Sequence, residues 1–337
     1  MSAADPILRF LHRIDPVARR ATFVQTDARR LGETGFLDGR TPFWTNEAET
    51  VPFDAVQASR PGAEPLRYIF HMSFCGSTLL ARLVGEATGA LALKEPHCLV
   101  DLADWRKALN QTGLEDPAFA PLLEAGLRPV IDPAPTGRPI VVKPSNWANT
   151  LLPRLRQSER MNPVFVTIGR REFLIAVFRG GRDRLAFTAR AAVHLASAFQ
   201  DGDRLIGDAI GTSADPLGRA ANLAALAHRL QAHLFDDAVS TEPWKDAPRV
   251  DFSEITREPE RALRAALPGL ALEASNEAVA AAVDRWRARN AKADGAAFRA
   301  HSESGADEAI AREHGASIRT ALTWAEKMDL TGPIVPR

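Results

Sequence analysis

Cysteine is nearly missing from this chain: Cys75 and Cys98 are the only two. Two cysteines cannot build a disulfide framework, and a reduced, cytoplasmic setting is the simplest expectation. An excess of charge of either sign is missing too. Lysine plus arginine and aspartate plus glutamate each number 42, for a formal net charge of zero. A nucleic-acid binder working through bulk electrostatics is therefore not expected, while local basic pockets are compatible with the balance. No apolar run approaches about 18 residues, so no membrane-spanning helix is expected. Residues 1–10 show no apolar run behind a basic start, so no secretory signal is expected there.

What is present is an ordinary globular composition, 45% hydrophobic and 25% charged over 337 residues. That suffices for a substantial core in one large domain or two smaller ones. Five short apolar segments read as buried strands: 67–71 (RYIFH), 90–94 (ALALK), 139–143 (PIVVK), 163–169 (PVFVTIG) and 249–255 (RVDFSEI). Between and after them, apolar residues recur at helical spacing. Leu79, Leu80, Leu83, Val84 and Ala87 form one stripe, ended by Gly89. Leu223, Leu226, Leu230 and Leu234 form a second, Val279, Val283 and Trp286 a third, and Ile310, Ile318, Leu322 and Ala325 a fourth. Strands alternating with helices imply βαβ units and a parallel sheet, hence an α/β fold. Residues 1–60 read as an N-terminal extension, with Ile7, Leu8 and Leu11 on one side of a short helix and residues 42–64 as loop. Residues 61–337 read as one α/β domain with a helical insertion at about 183–240.

The segment His71-Met72-Ser73-Phe74-Cys75-Gly76-Ser77-Thr78 joins the first of these strands to an amphipathic helix. The first amides of a helix lack partners within it and point outward with a favourable dipole, so such a junction can hold an anion. Gly76 permits close approach of backbone to a phosphate, and Thr78 offers a hydroxyl. The spacing is that of a Walker A loop with two replacements: His71 stands for its first glycine and Ser77 for its lysine. Neither the third nor the fourth strand carries a Walker B aspartate, so magnesium-assisted phosphoryl transfer is under-equipped. The bland alternative is a tight turn with a helix cap, which small polar residues favour anyway.

Several segments together resemble the sulfotransferase superfamily. Residues 70–83 (FHMSFCGSTLLARL) look like its modified P-loop and following helix, with Cys75, Gly76, Ser77 and Thr78 at the loop. Leu93-Lys94-Glu95-Pro96 resembles the family's Glu-Pro, Val141-Val142-Lys143-Pro144 a strand ending in a basic residue, and residues 164–170 (VFVTIGR) the strand whose final arginine binds a 3′-phosphate. Residues 250–267 look like a late strand, acidic turn and proline-started helix. The likeness spans about residues 66–270 in order. It implies a P-loop NTPase-like three-layer sandwich, 3′-phosphoadenosine-5′-phosphosulfate as co-substrate, no metal, and a hydroxyl or amine acceptor. It also implies Glu95 as general base and Lys143 and Arg170 as cofactor contacts. Two features depart from the family. The basic residue before the loop glycine is missing, which leaves Lys94, Lys143 or Arg82 to supply the charge. Phe178 stands where a serine is expected eight residues after Arg170, which makes the adjacent Arg179 the substitute. The family's glycine-rich cofactor loop has only residues 292–299 (KADGAAFR) as a candidate.

Other readings stay open. Glu95 can simply pair with Lys94 or a nearby arginine, and His97, with an ordinary pKa near neutrality, can be the base instead. His71 can merely cap the loop, and Arg179, Arg182 and Arg184 can be a solvated charge run. Cys75, Cys98, His71 and His97 match no usual zinc spacing. At the level of function, a P-loop kinase or a non-catalytic nucleotide-binding protein remain alternatives. The acceptor and the oligomeric state are not legible.

Overall fold

The computed structural model describes residues 6–56, 65–131, 137–156, 158–286, 300–330 and 332–334. Nine strands are described: β1 Leu8–Asp15, β2 Arg20–Thr26, β3 Glu49–Pro52, β4 Leu66–His71, β5 Leu91–Lys94, β6 Val130–Ile131, β7 Ile140–Lys143, β8 Met161–Thr167 and β9 Arg249–Asp251. They form two sheets. The central one is parallel, in the order β5-β7-β4-β8-β9. All six residues of β4 are buried, the signature of a strand covered on both faces. Each large apolar side chain so buried contributes roughly 1.5–3 kcal/mol. Phe70 stacks on Phe165 at 5.7 Å, and Phe165 meets Phe235 at 4.9 Å, so the core runs through the sheet into the helices.

The helices Ser77–Thr88, Pro259–Gly269 and Asn276–Trp286 pack together. Right-handed crossovers put this group on one face. The other face receives His97–Thr112, the 3-10 turn Asn146–Leu151, Gly181–Ala196 and Pro216–Ala238. This is the parallel-sheet, three-layer α/β architecture expected from the alternation of strand and helix patterns. The connection after β4 leaves over one face, while those after its neighbours β7 and β8 leave over the other. Chains diverging in this way open a crevice at the carboxyl edge of the sheet, where open α/β folds bind ligands. Among the described residues no helix is long and apolar enough to cross a membrane.

Four expectations need correction. Ile7, Leu8 and Leu11 do not line a helix; β1 pairs antiparallel with β2, and with β3 and β6 they make a second, four-stranded sheet. A register shift between Leu11 and Arg13 buries Leu8, Phe10, Leu11, His12 and Ile14 together. That bulge breaks the period of two by which a strand is recognised. Residues 42–64 are not wholly loop, since they contain β3 and a 3-10 turn at Phe53–Ala55. The last central strand ends at Asp251, not at Ile255. The Asp251 carboxylate accepts from Ser253 N at 2.9 Å while Glu254 accepts from Asp251 N at 3.0 Å, a capping box that starts the helix Phe252–Arg257. The fourth apolar stripe is split between two helices, Ala300–Glu313 and Gly315–Lys327, with Ile318 and Ala325 buried. Residues 292–299, the candidate glycine-rich loop, lie outside the described residues.

Candidate functional site

β4 runs out at His71, and the chain turns through Phe74 at φ +63° and Gly76 at φ +74° before the helix begins at Ser77. A β-carbon on Gly76 would lie 3.3 Å from Ile255 Cγ2 and 3.4 Å from Phe252 Cδ2, so both backbone and neighbours select glycine. Phe74 has no such freedom and is held in the left-handed region by its contacts. Its ring lies 5.8 Å from Phe173 and 6.4 Å from Phe187, and the Arg184 guanidinium sits 4.9 Å above it. Left-handed conformations of bulky residues concentrate at functional sites. No side chain caps the helix at Gly76. Cys75, Ser77 and Thr78 are buried, and Phe74, Gly76 and Leu79 are half-buried. The Cys75 thiol donates to Met72 O.

Glu95 follows β5 and also adopts positive φ, at +56°. Its amide donates to Lys143 O at 2.7 Å, and its Oε1 accepts from Lys143 Nζ at 2.5 Å. The lysine side chain is 1% exposed and the glutamate 18%. Burial by itself would push the Glu95 carboxyl up; the Lys143 ammonium outweighs burial and holds it below the usual carboxylate range. His71, also buried, presents Nε2 to Pro144 O at 2.9 Å and Nδ1 to Met72 O at 3.1 Å. Burial first and Lys143 second lower its pKa to about 3. The ring is therefore neutral, ties the ends of β4 and β7 together, and leaves the Lys143 ammonium as the local charge.

The other basic candidates go elsewhere. Lys94 Nζ donates to Gly32 O at 2.6 Å, and Arg82 donates to Gly32 O at 3.1 Å and Glu33 O at 2.7 Å. Both thus serve the carboxyl end of the helix Ala28–Glu33, where cations are favoured. His97 opens the helix His97–Thr112 but faces the N-terminal sheet. Its ring lies 6.3 Å from His12, its Nε2 3.5 Å from Asp101 Oδ1, and burial is the main cause of its lowered pKa. The structure thus groups Glu95 with His71 and Lys143, and His97 with His12 and Asp101.

Arg170 is the first residue of the helix Arg170–Arg179, at the carboxyl end of β8. Burial and the neighbouring Arg229 make its charged form costlier, and its Nε has no hydrogen-bond partner among the described residues. Arg179, nine residues on and so about 13 Å along the axis, pairs with Asp307 at 2.9 Å. Phe178 is buried with its ring 4.9 Å from His314. The two C-terminal helices therefore take up Phe178 and Arg179, and Arg170 and Arg179 are not brought together. Cys98 is buried under Gly126 O, and burial pushes its thiol up. Among the described residues no three His, Cys, Asp or Glu side chains gather as a metal site requires.

Sequence reasoning passed over Arg184, which reads as part of a solvated charge run, and over Trp147, Phe187, His194 and Asp104. These last four lie on three separate elements with no shared motif. Only tertiary contact joins them: Trp147 Nε1 donates to Asp104 Oδ1 at 2.9 Å and its ring stacks on His194 at 4.5 Å.

Fold and site together define an α/β protein with a glycine turn and a buried lysine–glutamate pair at the carboxyl edge of a parallel sheet. Comparison with known proteins adds little to this. No protein-family model matches the chain, and no curated protein does. Among solved structures it is similar to a sulfotransferase domain from the curacin biosynthetic pathway, with 10% identity over 75% of this chain and 98% of that one at a TM-score of 0.39. It is also similar to a sulfotransferase domain from the Synechococcus PCC 7002 olefin synthase, with 15% identity over 80% and 98% at a TM-score of 0.41.

Proposed function

We propose that this chain is a sulfotransferase that moves a sulfuryl group from 3′-phosphoadenosine-5′-phosphosulfate to a hydroxyl or amine. The observation that carries this reading is the Glu95–Lys143 contact of 2.5 Å beside the glycine turn. It places a carboxylate and a cation together where a strand-to-helix junction can receive a phosphate.

The residues present suit the donor's phosphosulfate end. The helix after Gly76 starts without a side-chain cap, so its first amides have no side-chain partner there, and a buried ammonium stands at the adjoining strand end. At the 3′-phosphate end they suit it less: Arg170 opens the helix after β8 with its Nε unpartnered among the described residues, which supports the reading, but Phe178 is packed against His314. The bound donor supplies the electrophilic sulfur. The amides around Gly76–Thr78 hold its 5′ end, and Lys143 stabilises charge developing there. Glu95 takes the proton from the acceptor.

A carboxyl held low by Lys143 is a weak base on its own. An anion that draws the ammonium toward itself releases this hold and raises the carboxyl. Once Glu95 is protonated, Lys143 is freed for the departing phosphate. No divalent cation is required by this scheme. The kinase reading would instead need a lysine at Ser77, and Asp251, the carboxylate that ends β9, is engaged in the capping box.

Thermal-shift measurement with adenosine 3′,5′-bisphosphate tests the reading against ATP with magnesium. The bisphosphate at about 100 times its Kd adds about 2.7 kcal/mol to the folded state and raises Tm. A shift with ATP–magnesium and none with the bisphosphate would favour the phosphotransferase. No shift with either would leave a protein that binds no nucleotide.

A further inference from the structure

β4 stays paired with β8 through His71, but its ladder with β7 stops at Tyr68 and Val142. Past that point the two strand ends part. The turn at Gly76 continues one of them, and Lys143, the partner of Glu95, ends the other. The spacing between the turn and that pair is therefore not set by the ladder.

Side chains set it. His71 Nε2 lies 2.9 Å from Pro144 O, and Asn149 Nδ2 donates to the His71 carbonyl at 3.1 Å. Asn149 stands six residues past Lys143, in the 3-10 turn Asn146–Leu151. It is 0% exposed, and the same Nδ2 donates to Gln231 Oε1 at 3.2 Å. Gln231, on the helix Pro216–Ala238, is itself oriented, because its Nε2 donates to Ala227 O at 3.1 Å. Both hydrogens of the Asn149 amide are thus engaged, by acceptors on two elements. Its Oδ1 has no hydrogen-bond partner among the described residues. A buried oxygen left unpaired costs stability, so packing alone does not account for an amide here. The donor end does account for it, since it holds the buried His71 carbonyl at the point where the strand becomes the turn.

We propose that Asn149 is a positioning residue: through the His71 carbonyl it fixes the Gly76 turn at a set distance from the Lys143–Glu95 pair, with Gln231 orienting its amide. The functional half of this rests on the sulfuryl-transfer reading, in which the turn holds the donor's 5′ end and Lys143 meets the same phosphate. A ligand that must meet two anchors at once is sensitive to their spacing, and a misplacement of about 1 Å can cost about 10²-fold. Asn149 need not touch the ligand for this.

Amide hydrogen exchange across residues 70–80 and calorimetric titration with adenosine 3′,5′-bisphosphate, both on the full chain, test it. The Met72 amide donates to Val166 O and the Leu80 amide to Gly76 O. Asn149→Ala speeds exchange at both about tenfold, and weakens bisphosphate binding about tenfold. Asn149→Ser, which stays polar and guards against misfolding, gives the same pattern. Asn222→Ala is the matched control: Asn222 is 2% exposed and donates to Ala209 O at 3.1 Å, joining two helices. It lowers Tm yet leaves exchange across residues 70–80 and bisphosphate affinity within about twofold of wild type. Gln231→Leu removes the second acceptor of Asn149, keeps its bond to His71, and weakens binding no more than about threefold. Unchanged exchange at Met72 in the Asn149 variants, or an equal change in Asn222→Ala, would overturn the proposal, as would wild-type bisphosphate affinity in those variants. Failure of the transfer reading shows separately: the wild-type chain binds no bisphosphate, while the exchange contrast between Asn149→Ala and Asn222→Ala persists.

Discussion

Replacing Lys143 by Met removes the ammonium from beside Glu95 and keeps a stem of similar length. The lysine side chain is 1% exposed and its partner 18%, so the carboxylate left behind has little water to turn to. Breaking a buried pair by removing one partner costs about 3–5 kcal/mol, and the partial exposure of Glu95 puts the expected loss near 3 kcal/mol. Glu95→Gln keeps an oxygen able to accept from the ammonium, so about 2 kcal/mol is expected. The double variant leaves two neutral groups and costs less than the sum by about 2 kcal/mol.

Urea unfolding of the four proteins at pH 7 measures this cycle. Costs that add to within about 0.5 kcal/mol would refute the pairing as an energetic unit. The sign with pH follows from the depressed Glu95 carboxyl. Its contribution is present above the unfolded carboxylate value of about 4.3 and fades as pH falls through the lower folded value. The stability gap between wild type and Glu95→Gln therefore closes in acid. Lys143→Met should also lower turnover about 10²–10³-fold, the usual loss when one group stabilising developing charge is removed.

Gly76→Ala forces a β-carbon into a φ of +74° and against Ile255 and Phe252. A loss of about 2 kcal/mol in urea unfolding, with bisphosphate affinity down at least about tenfold, is expected; wild-type values for both would be wrong for this turn. His71 stays neutral down to about pH 3 in the folded chain, while an unfolded histidine protonates near pH 6.5. It therefore costs the folded state about 1.4 kcal/mol per pH unit as pH falls between those values. His71→Gln should lessen the acid dependence of unfolding by that slope, and an unchanged slope contradicts the assignment. Arg179→Ala breaks a partly exposed pair with Asp307 and should change stability by less than about 1 kcal/mol, with bisphosphate binding untouched. Arg170→Ala should weaken that binding measurably, and the reverse pattern would exchange their roles.

The parallel sheet was readable because each of its strands is a compact apolar run with a breaker at its end. Residues 67–71 and 139–143 nearly coincide with β4 and β7. The N-terminal sheet was not readable, because a bulge at His12 puts consecutive side chains of β1 on the buried side. Nor was the end of β9, where a capping box overrides a strand-like run. The turn at Gly76 and the Glu-Pro after β5 were visible as motifs, since local backbone geometry dictates those residue types.

Partnership was not visible. Lys94 and Lys143 end neighbouring strands directly opposite each other in register, yet one ammonium caps a helix and the other meets Glu95. Arg184 looked like solvated charge and lies on Phe74, and Arg179 looked like a phosphate ligand and pairs with Asp307. Local pattern is enough to specify strands, helices and a turn with room for an anion, because hydrogen-bond geometry and apolar spacing act over a few residues. Which charges and rings meet is decided by elements 48 to 128 residues apart in the chain, and long side chains go wherever the packed chain leaves them a partner.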